Sequence, residues 1–312
     1  MSWWTRPLVR VVAALLLPIA VPAVLTAVLW VLPGHPAEIV CPPGICDGTE
    51  ALAERWNLHK GPWHFFSNWL ASALRFEFGN SWRAQPGVPV AELLRQSIPE
   101  TTKLLFLAMV PLLTGGVAAA VGWLPKRLDP VWQAVGLVPA VILALFCAAQ
   151  VQIEYGAMSH DGWPATLRLL LGALVLGVAD SALSGAIIGT RGVFEAELRQ
   201  RYIQIALLRG ETPLSNALPN VLPALIGQFR ARALHIMSGT VVVEVVLGIS
   251  GLGELLFDGT LKQDFGVVLA AAWAFSLLSA ALLLLQGLLE VAVALWVRWA
   301  PAGVVSPGEE GA

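Results

Sequence analysis

The sequence predicts an all-α polytopic membrane protein with about six transmembrane helices. Of its 312 residues, 57% are hydrophobic and 13% are charged, and the mean hydropathy is +0.72. A water-soluble domain of this composition would have too little polar surface to cover its apolar side chains. The apolar residues are also grouped in runs of roughly 20, the length that crosses a bilayer as a helix. The formal net charge of -2 leaves no strongly basic surface, so no nucleic-acid partner is expected.

Six apolar stretches are the candidate spans. The first follows a basic start, but at about 22 residues it exceeds the apolar core of a typical signal peptide, and no small-x-small cleavage site follows it. An uncleaved helix is therefore favoured. The fifth is the least regular, because a helix that begins at Leu222 must carry Arg230 and Arg232 near one end, where long side chains reach the headgroups. The six stretches are 11–32, 103–124, 131–152, 165–189, 233–249 and 266–297.

Basic residues are unevenly distributed between the two sides of the membrane. Short cytoplasmic loops carry an excess of Lys and Arg. With the N-terminus inside, the short outer loops 153–164 and 250–265 hold only Lys262. Both termini are therefore expected in the cytoplasm. The inner segments then hold Arg6, Arg10, Lys126, Arg127, Arg191, Arg199, Arg201, Arg209 and Arg298.

The spans divide the chain into three parts. Residues 1–32 form the N-terminal cytoplasmic end and the first transmembrane helix, and 33–102 form a periplasmic loop with amphipathic helices. Residues 103–312 form a five-helix transmembrane core with an inner loop at 191–221. In the outer loop, 50–58 predicts one short helix, and five further residues predict an aromatic helix that lies on the membrane surface. These five are Trp63, Phe66, Trp69, Leu70 and Ala73.

Two cysteines lie close together in the outer loop. Cys41 and Cys46 occur in the segment CPPGIC and would form a disulfide in an oxidising periplasm. The alternative is two free thiols near the membrane surface. A zinc site is disfavoured, because only His35 is nearby and two Cys with one His make an incomplete tetrahedral set.

The inner loop predicts a helical hairpin outside the membrane. Four apolar residues fall at i, i+4, i+8 and i+11 and form one stripe. Gly210 supplies a helix C-terminus, and Thr212 followed by Pro213 supplies an N-cap and a first-turn proline for the next helix. Such a hairpin either packs on the bundle as a connector or is held in a groove of a soluble partner. The stripe consists of Phe194, Leu198, Tyr202 and Ile205.

Ionisable residues are few within the predicted spans, and two of them stand out. Asp180 and Glu244 are costly in lipid, so each is expected to face the bundle interior or a polar cavity. Asp180 is a candidate residue of a translocation path. Glu244 has two interpretations, a contact in the path or its gate, and a hydrogen-bonded strut between helices near the outer end of the fifth span.

Sequence motifs for catalysis are absent. The chain has no GxxxxGK[ST] phosphate loop, so it is not expected to bind or hydrolyse ATP by itself. It has no H-E-x-x-H zinc motif and no G-x-S-x-G nucleophile motif. No catalytic residue, metal or cofactor is therefore assigned to this chain.

Four segments resemble the permease subunits of dipeptide, oligopeptide and nickel ABC importers. The last segment is the most specific, since it has the family's VVVE, GLG, paired Leu and Asp in order. Together the segments span most of the chain. They are LPGHPAEIV at 32–40, FGNSWRAQPGVPVAELLRQSIPETTKL at 78–104, EAELRQRYIQIALLRG at 195–210 and GTVVVEVVLGISGLGELLFDGTLKQDFGVV at 239–268.

The resemblance implies a type I ABC importer permease bundle in the bacterial inner membrane. It implies that the chain forms half of a translocation pathway for peptides or similar small solutes. The implied partners are a second permease subunit, homologous or identical, two P-loop ATPase subunits that bind ATP, a periplasmic solute-binding protein and membrane lipid.

The resemblance also suggests roles for individual residues. The third segment resembles the coupling loop that docks on the ATPase, where Ala206 would let a partner approach closely and Gly210 would permit a turn. Gln204 stands where the broader motif has an acid, so a charge contact there is lost. Gly251 and Gly253 would shape the turn into a short outer helix beside the pore exit. The coupling-loop positions are Glu195, Leu198, Tyr202, Ala206, Gly210, Leu222 and Pro223.

Two other functions compete with an importer subunit. A secondary transporter driven by an ion gradient would need internal repeats or interrupted helices with midplane charges, and the sequence shows no clear repeat. A membrane scaffold would recruit a soluble protein through the inner hairpin without transport. A partner with nucleotide-binding domains distinguishes the importer from both.

Overall fold

The computed structural model describes residues 5–33, 35–40, 48–155 and 164–299. Cys41 and Cys46 lie outside the described residues. The described chain is helical and contains one isolated β-bridge, between Asn80 and Pro89. The α-helices are α1 (Thr5–Val31), α2 (Pro36–Val40), α3 (Thr49–Arg55), α4 (Pro62–Ala73), α5 (Val90–Ala120), α6 (Asp129–Gly136), α7 (Ala140–Tyr155), α8 (Ala165–Val178), α9 (Ala182–Leu198), α10 (Arg201–Leu208), α11 (Pro213–Leu247), α12 (Leu252–Leu261) and α13 (Phe265–Trp299), with 3₁₀ turns at Leu58–Lys60 and Lys126–Leu128.

The described helices provide up to six membrane spans. Helices α1, α5 and α13 are each long and apolar enough to cross a membrane. Three further pairs meet the same criterion together: α6 with α7, α8 with α9, and α11 with α12, bent by 77°, 43° and 72°. Six spans result if each bent pair is one span, so the predicted all-α membrane fold is confirmed.

The third and fourth predicted spans are interrupted, and the two interruptions lie side by side. The backbone N–H of Asp180 donates to the Val138 carbonyl at 3.0 Å, and the N–H of Ser181 donates to the Gly136 carbonyl at 2.8 Å. Asp180 and Ser181 have φ values of 49° and 61°, a left-handed region that few non-glycine residues adopt. The two continuous helices expected from hydropathy are therefore bent pairs, because cross-connected turns replace the helical hydrogen bonds.

Helix α11 begins at Pro213, well before the start at 233 that hydropathy predicts. Thr212 precedes it with extended backbone, and Pro213 occupies the first turn, where its missing N–H is not needed. Pro219 and Pro223 also lie within the helix. Hydropathy does not detect these first turns, because their polar residues are too numerous for a membrane span.

The core lies among α5, α7, α8, α9 and α11. Ala108, Ala144 and Ala186 are fully buried in it, and such small residues let membrane helices approach closely. A second apolar cluster joins the start of α5 to α12 and α13. Helix α1 packs along α13, where the Arg10 guanidinium donates to the Glu290 carboxylate.

Aromatic rings bind the segment before α5 to the bundle. The Phe65 ring lies 5.5 Å from that of Trp30 and 5.7 Å from that of Trp56, measured between centroids. Phe265 at the start of α13 lies 6.3 Å from Phe65. Trp63, in contrast, is 79% exposed. The aromatic helix expected on the membrane surface therefore packs one face against α1 and the ring cluster.

Candidate functional site

The helical hairpin, residues 191–221, consists of the end of α9, all of α10 and the start of α11. Helix α10 ends in a Schellman turn: the N–H of Glu211 donates to the Ala206 carbonyl at 3.0 Å, and the N–H of Gly210 donates to the Leu207 carbonyl at 3.0 Å. Gly210 has a φ of 77°, which glycine adopts without a Cβ clash. The helix end expected at Gly210 is thus a left-handed turn.

The apolar stripe expected in the hairpin does not form a single helix face. Helix α9 ends at Leu198, and α10 begins after the extended residue Gln200. This break shifts the helical phase, so Ile203 and Ala206 are buried whereas Ile205 is exposed. Ala206 is only 1% exposed, so it fills the interior of the hairpin, and its expected role of letting a partner approach stays a prediction.

The hairpin has its own apolar core between its three helices. The cluster links α9, α10 and α11 and includes part of the Tyr202 ring. Because these side chains are buried against one another, the hairpin is held to the ends of both long helices. The buried members are Phe194, Ile203, Ala217 and Val221.

A polar triad also joins the three helices of the hairpin. The Tyr202 hydroxyl donates to the Glu197 carboxylate. The Asn220 amide donates to that carboxylate at 2.9 Å and to the Tyr202 hydroxyl oxygen at 2.8 Å. Partial burial, with the neighbouring carboxylate, raises the pKa of Tyr202 to about 12, so the phenol stays protonated near neutral pH. Sequence analysis identified Tyr202 but not Glu197 or Asn220, because the triad depends on how α11 packs.

Loss of the Tyr202 hydroxyl is expected to loosen the hairpin modestly. Tyr202→Phe removes two of the three hydrogen bonds, each with a net contribution of about 0.5–1.5 kcal/mol. We expect tryptic cleavage at Arg199 and Arg201 to become about fivefold faster, since cleavage of a transiently open segment follows the population of the open form. Gln204→Ala, an exposed change on the same helix, is the control and should leave the cleavage rate unchanged.

Apolar side chains are exposed at the end of the hairpin. Leu208 is 89% exposed, and its three apolar neighbours are about half exposed. We call these four residues the apolar tip. Sequence analysis identified only one of them, because it assumed one continuous helix. The break between α9 and α10 changes which side chains of the hairpin face outward. The apolar tip consists of Ile205, Leu207, Leu208 and Leu214.

The other residues expected in a coupling loop lie around the base of the hairpin. The Glu195 carboxylate forms an ion pair with the Lys126 ammonium at 2.5 Å. Leu198 is 39% exposed at the end of α9. Leu222 and Pro223 lie partly buried in α11. The structure thus brings this group together in one hairpin but leaves Leu222 and Pro223 away from its tip.

The junction between α11 and α12 is organised by Glu244, which is fully buried. The Thr101 hydroxyl of α5 donates to Glu244 Oε1 at 2.7 Å. The N–H groups of Gly253 and Glu254 donate to Oε2 at 2.6 and 3.2 Å, and the N–H of Leu252 donates to the Thr101 hydroxyl at 2.7 Å. One carboxyl group therefore connects three helices, which is the geometry of the strut interpretation.

The two glycines of this junction make room for the Glu244 carboxyl group. A Cβ on Gly251 would overlap that carboxyl group, and a Cβ on Gly253 would collide with the backbone of Val241. Both positions therefore require glycine because of close approach. The sequence pattern VVVE followed by GLG thus reflects a single packed unit.

A second carboxylate, Asp264, holds the loop before α5 against the start of α13. Asp264 is 1% exposed, and its Oδ2 accepts hydrogen bonds from the Ser81 hydroxyl at 2.6 Å and from the N–H groups of Trp82, Arg83 and Ala84 at 2.8, 3.0 and 3.2 Å. Burial raises the pKa of this carboxyl group, but the hydrogen bonds outweigh burial and the pKa lies below its usual value. Sequence analysis noted an Asp in the motif without assigning it a role.

Asp180 lies at the bend between α8 and α9, and its side chain is exposed. Of the two expected surroundings, the bundle interior is therefore wrong for the single chain, and a polar cavity stays a prediction. Its position coincides with the paired interruptions of the third and fourth spans.

No metal centre is found in the described part of the chain. No group of three or more His, Cys, Asp or Glu side chains there could hold a metal ion. The buried carboxylates instead accept hydrogen bonds from hydroxyl and backbone N–H groups, which is a structural arrangement.

Comparison with known proteins covers both regions just described. Residues 92–294 match the family described as "Binding-protein-dependent transport system inner membrane component". The chain is 27% identical over 259 residues to the glutathione transport system permease protein GsiC of Shigella flexneri, covering 79% of this chain and 83% of that protein. The protein of the same name from Escherichia coli K12 is 26% identical over the same shares. A "Probable peptide ABC transporter permease protein y4tP" of Sinorhizobium fredii is 27% identical over 77% of this chain and 82% of that protein.

The family match runs from the first turn of α5 to near the end of α13 and includes the hairpin and the α11–α12 junction. It spans more than half of the chain. The chain therefore belongs to the binding-protein-dependent transport system inner membrane component family, and it is a non-catalytic inner-membrane permease subunit of the peptide and oligopeptide ABC importers.

Proposed function

We propose that the chain forms half of the pathway through which peptides or similar small solutes enter the cell, and that its helical hairpin couples this pathway to a separate ATPase subunit. The apolar tip carries the proposal. Leu208 is 89% exposed on a hairpin that has a buried core of its own. The apolar tip can therefore bind in a groove of a soluble partner. A carrier driven by an ion gradient would not need this feature.

The proposed complex contains a second permease subunit, homologous or identical, two P-loop ATPase subunits that bind ATP and a periplasmic solute-binding protein. The names of the similar proteins, a glutathione permease and a peptide permease, support a peptide-like solute. In the proposed orientation both termini are cytoplasmic, which places the apolar tip on the same side as the ATP supply. Membrane lipid surrounds the bundle.

Helix α11 is the proposed lever between the ATPase and the opposite side of the membrane. Its 35 residues span about 50 Å at 1.5 Å per residue. It begins in the hairpin and ends at the junction with α12, where Glu244, Gly251 and Gly253 position the proposed outer gate. Movement of the hairpin is therefore transmitted to that junction by one continuous helix.

The remaining sequence-predicted residues support this lever in different ways. Tyr202 and Glu195 fasten the hairpin, Gly210 turns the chain between α10 and α11, and Ala206 fills the hairpin interior. Leu198 extends the exposed apolar surface. Leu222 and Pro223 lie where α11 leaves the hairpin, and Asp180 marks the bend of the fourth span, beside the proposed path.

Aspartate at the apolar tip is expected to remove the ATPase from the complex. Burying a leucine contributes about 1.5–3 kcal/mol, so Leu207→Asp with Leu208→Asp should weaken the association at least tenfold. The chain is co-expressed with its genomic neighbours and purified in mild detergent, and the co-eluting ATPase is quantified by mass and by ATP hydrolysis.

Leu261→Asp is the matched control for this experiment. Leu261 is 67% exposed at the end of α12, at the other end of α11 from the hairpin, so its replacement should leave the ATPase bound. Undiminished ATPase in the Leu207→Asp, Leu208→Asp variant, or no ATPase with the unaltered chain, would contradict the proposed coupling.

A further inference from the structure

A cleft opens between α6, α9 and α11, beside the paired interruptions of the third and fourth spans. Its volume is about 560 Å³, within the usual range for small-molecule sites. Gln133 of α6, Ser184 and Ile188 of α9 and Arg232 of α11 line it. The cleft therefore combines apolar walls with a few convergent polar groups inside a membrane bundle.

Arg232 is the charged group of this cleft, and it lies near the middle of α11. Its guanidinium donates to the Ser181 carbonyl at 3.3 Å. Among the described residues, no carboxylate forms an ion pair with it within 4 Å. A partly buried guanidinium without an acidic partner within ion-pair distance keeps its full charge, which marks it as a candidate for function.

Two glycines of α9 leave room for the polar side-chain ends of Arg232 and Gln228 on α11. A Cβ on Gly185 would overlap the Arg232 guanidinium, and a Cβ on Gly189 would overlap the Gln228 amide. Gln228 also donates to the Gly185 carbonyl at 3.0 Å. These contacts hold the guanidinium at the cleft wall, where it is partly exposed and part of its hydrogen-bonding capacity is free.

We propose that this cleft binds the carboxylate group of the solute during transport, with Arg232 as the pairing residue. A guanidinium presents donors in a planar fork that matches a carboxylate. Gln133 and Ser184 supply further hydrogen-bonding groups. The inference rests on the proposed function, because a peptide-like solute with a free C-terminus brings a carboxylate to the guanidinium.

The volume favours a solute over a lipid headgroup with its acyl chains. A cleft of about 560 Å³ accommodates a peptide of a few residues. A phosphate of an anionic lipid shares the chemistry of an oxyanion, however. The test therefore includes lipid composition as a separate variable.

Charge-selective labelling of a cysteine in the cleft measures its electrostatic preference without knowledge of the natural solute. Ile188→Cys is introduced with Cys147→Ser into the intact complex in phosphatidylcholine nanodiscs. Labelling rates are compared for an anionic and a cationic methanethiosulfonate reagent, and the same complex without Ile188→Cys gives the background. We expect the anionic-to-cationic rate ratio to fall about tenfold in Arg232→Gln and to be largely retained in Arg232→Lys.

Arg75→Gln is the matched control, since Arg75 is an exposed arginine before α5 and outside the hairpin, and its rate ratio should not change. The ratio should respond to Arg232 alone. An unchanged ratio in Arg232→Gln would overturn the inference even when the ATPase remains bound. Loss of the ATPase from the tip variant tests the proposed function instead, so the two failures are distinguishable.

Protection by a defined peptide identifies the bound group. We expect trialanine at millimolar concentration to slow anionic labelling at least threefold, and its C-terminal amide to have no such effect. Equal protection by both peptides, or by neither, would contradict carboxylate recognition. If phosphatidylglycerol in the nanodisc slows labelling and trialanine does not, the cleft holds a lipid headgroup and the proposal is wrong.

Discussion

Glu244→Ala is expected to lower the free energy of unfolding of the chain by about 3–5 kcal/mol, because it leaves several buried donors without an acceptor. The Thr101 hydroxyl and the N–H groups of Gly253 and Glu254 all donate to this carboxyl group. Without the carboxyl group, the hydrogen bonds that join α5, α11 and α12 at this junction are lost. The measurement is the unfolding midpoint of the purified complex in a denaturant titration.

Glu244→Gln is the control for this change. The amide keeps the size of the side chain and one acceptor oxygen, so it should cost about 1–2 kcal/mol. Equal loss of stability in the alanine and glutamine variants would show that the hydrogen bonds are not the cause.

A double-mutant cycle with Gly251 tests the same junction from its other side. A Cβ on Gly251 would overlap the Glu244 carboxyl group, so Gly251→Ala should destabilise the unaltered chain. In the Glu244→Ala background the space is free, and the added methyl group should cost less. Residues in direct contact give interaction free energies of about 0.5–3 kcal/mol, and additive effects would exclude the close approach.

Asp264→Ala is expected to release the loop 81–84 from the start of α13. Four donors from Ser81 to Ala84 share Asp264 Oδ2, so their loss should destabilise the closed loop by about 2–4 kcal/mol. Tryptic cleavage at Arg83 should then become at least thirtyfold faster, because a segment is cleaved from its open form.

Asp258→Ala is the matched control for Asp264→Ala. Asp258 pairs with Lys262 at 2.9 Å on the surface of α12, and a surface ion pair contributes about 0–1 kcal/mol. Cleavage at Arg83 should therefore remain within a few-fold of the unaltered chain. Slow cleavage in Asp264→Ala would show that the loop is held by other contacts.

The same carboxylate gives the loop an acid-dependent stability. The pKa of Asp264 is lower in the folded chain than in the unfolded chain, where the pKa of an Asp side chain is about 3.9. Its stabilisation is thus present above that unfolded pKa and is lost as pH falls through the folded pKa. We expect hydrogen exchange at Trp82 and Arg83, corrected for intrinsic rates, to be constant from about pH 5 to 7 and to accelerate only below about pH 4. Asp264→Ala should lack this acid step.

The sequence was most informative about features that depend on composition or on neighbours along the chain. Apolar runs predicted the spans, and Gly210 and Pro213 predicted a helix end and the next helix start. These signals are local, since a left-handed turn requires glycine and a first-turn proline loses no hydrogen bond. The segment at 239–268 also indicated the family, which residues 92–294 confirm.

Local signals failed where the chain leaves helical periodicity. The break at Gln200 changed which side of the hairpin is exposed, so Leu208 was missed and the burial of Ala206 was not foreseen. The bend at Asp180 turned a residue expected inside the bundle outward. Helical periodicity assigns residues to faces only within one continuous helix, so residues beyond a break are assigned to faces incorrectly.

The sequence by itself determined that this protein is a helical membrane protein, because transfer of apolar side chains from water depends on composition and run length. The resemblance of four segments to a permease family indicated its function, and the family match confirms it. Only the tertiary structure decided what its polar residues do. Glu244 accepts a hydrogen bond from Thr101, Asp264 accepts one from Ser81, and Arg232 donates one to the Ser181 carbonyl. All three pairs are far apart in the sequence. A buried polar group is stable only with a partner, and which partner it meets is set by helix packing.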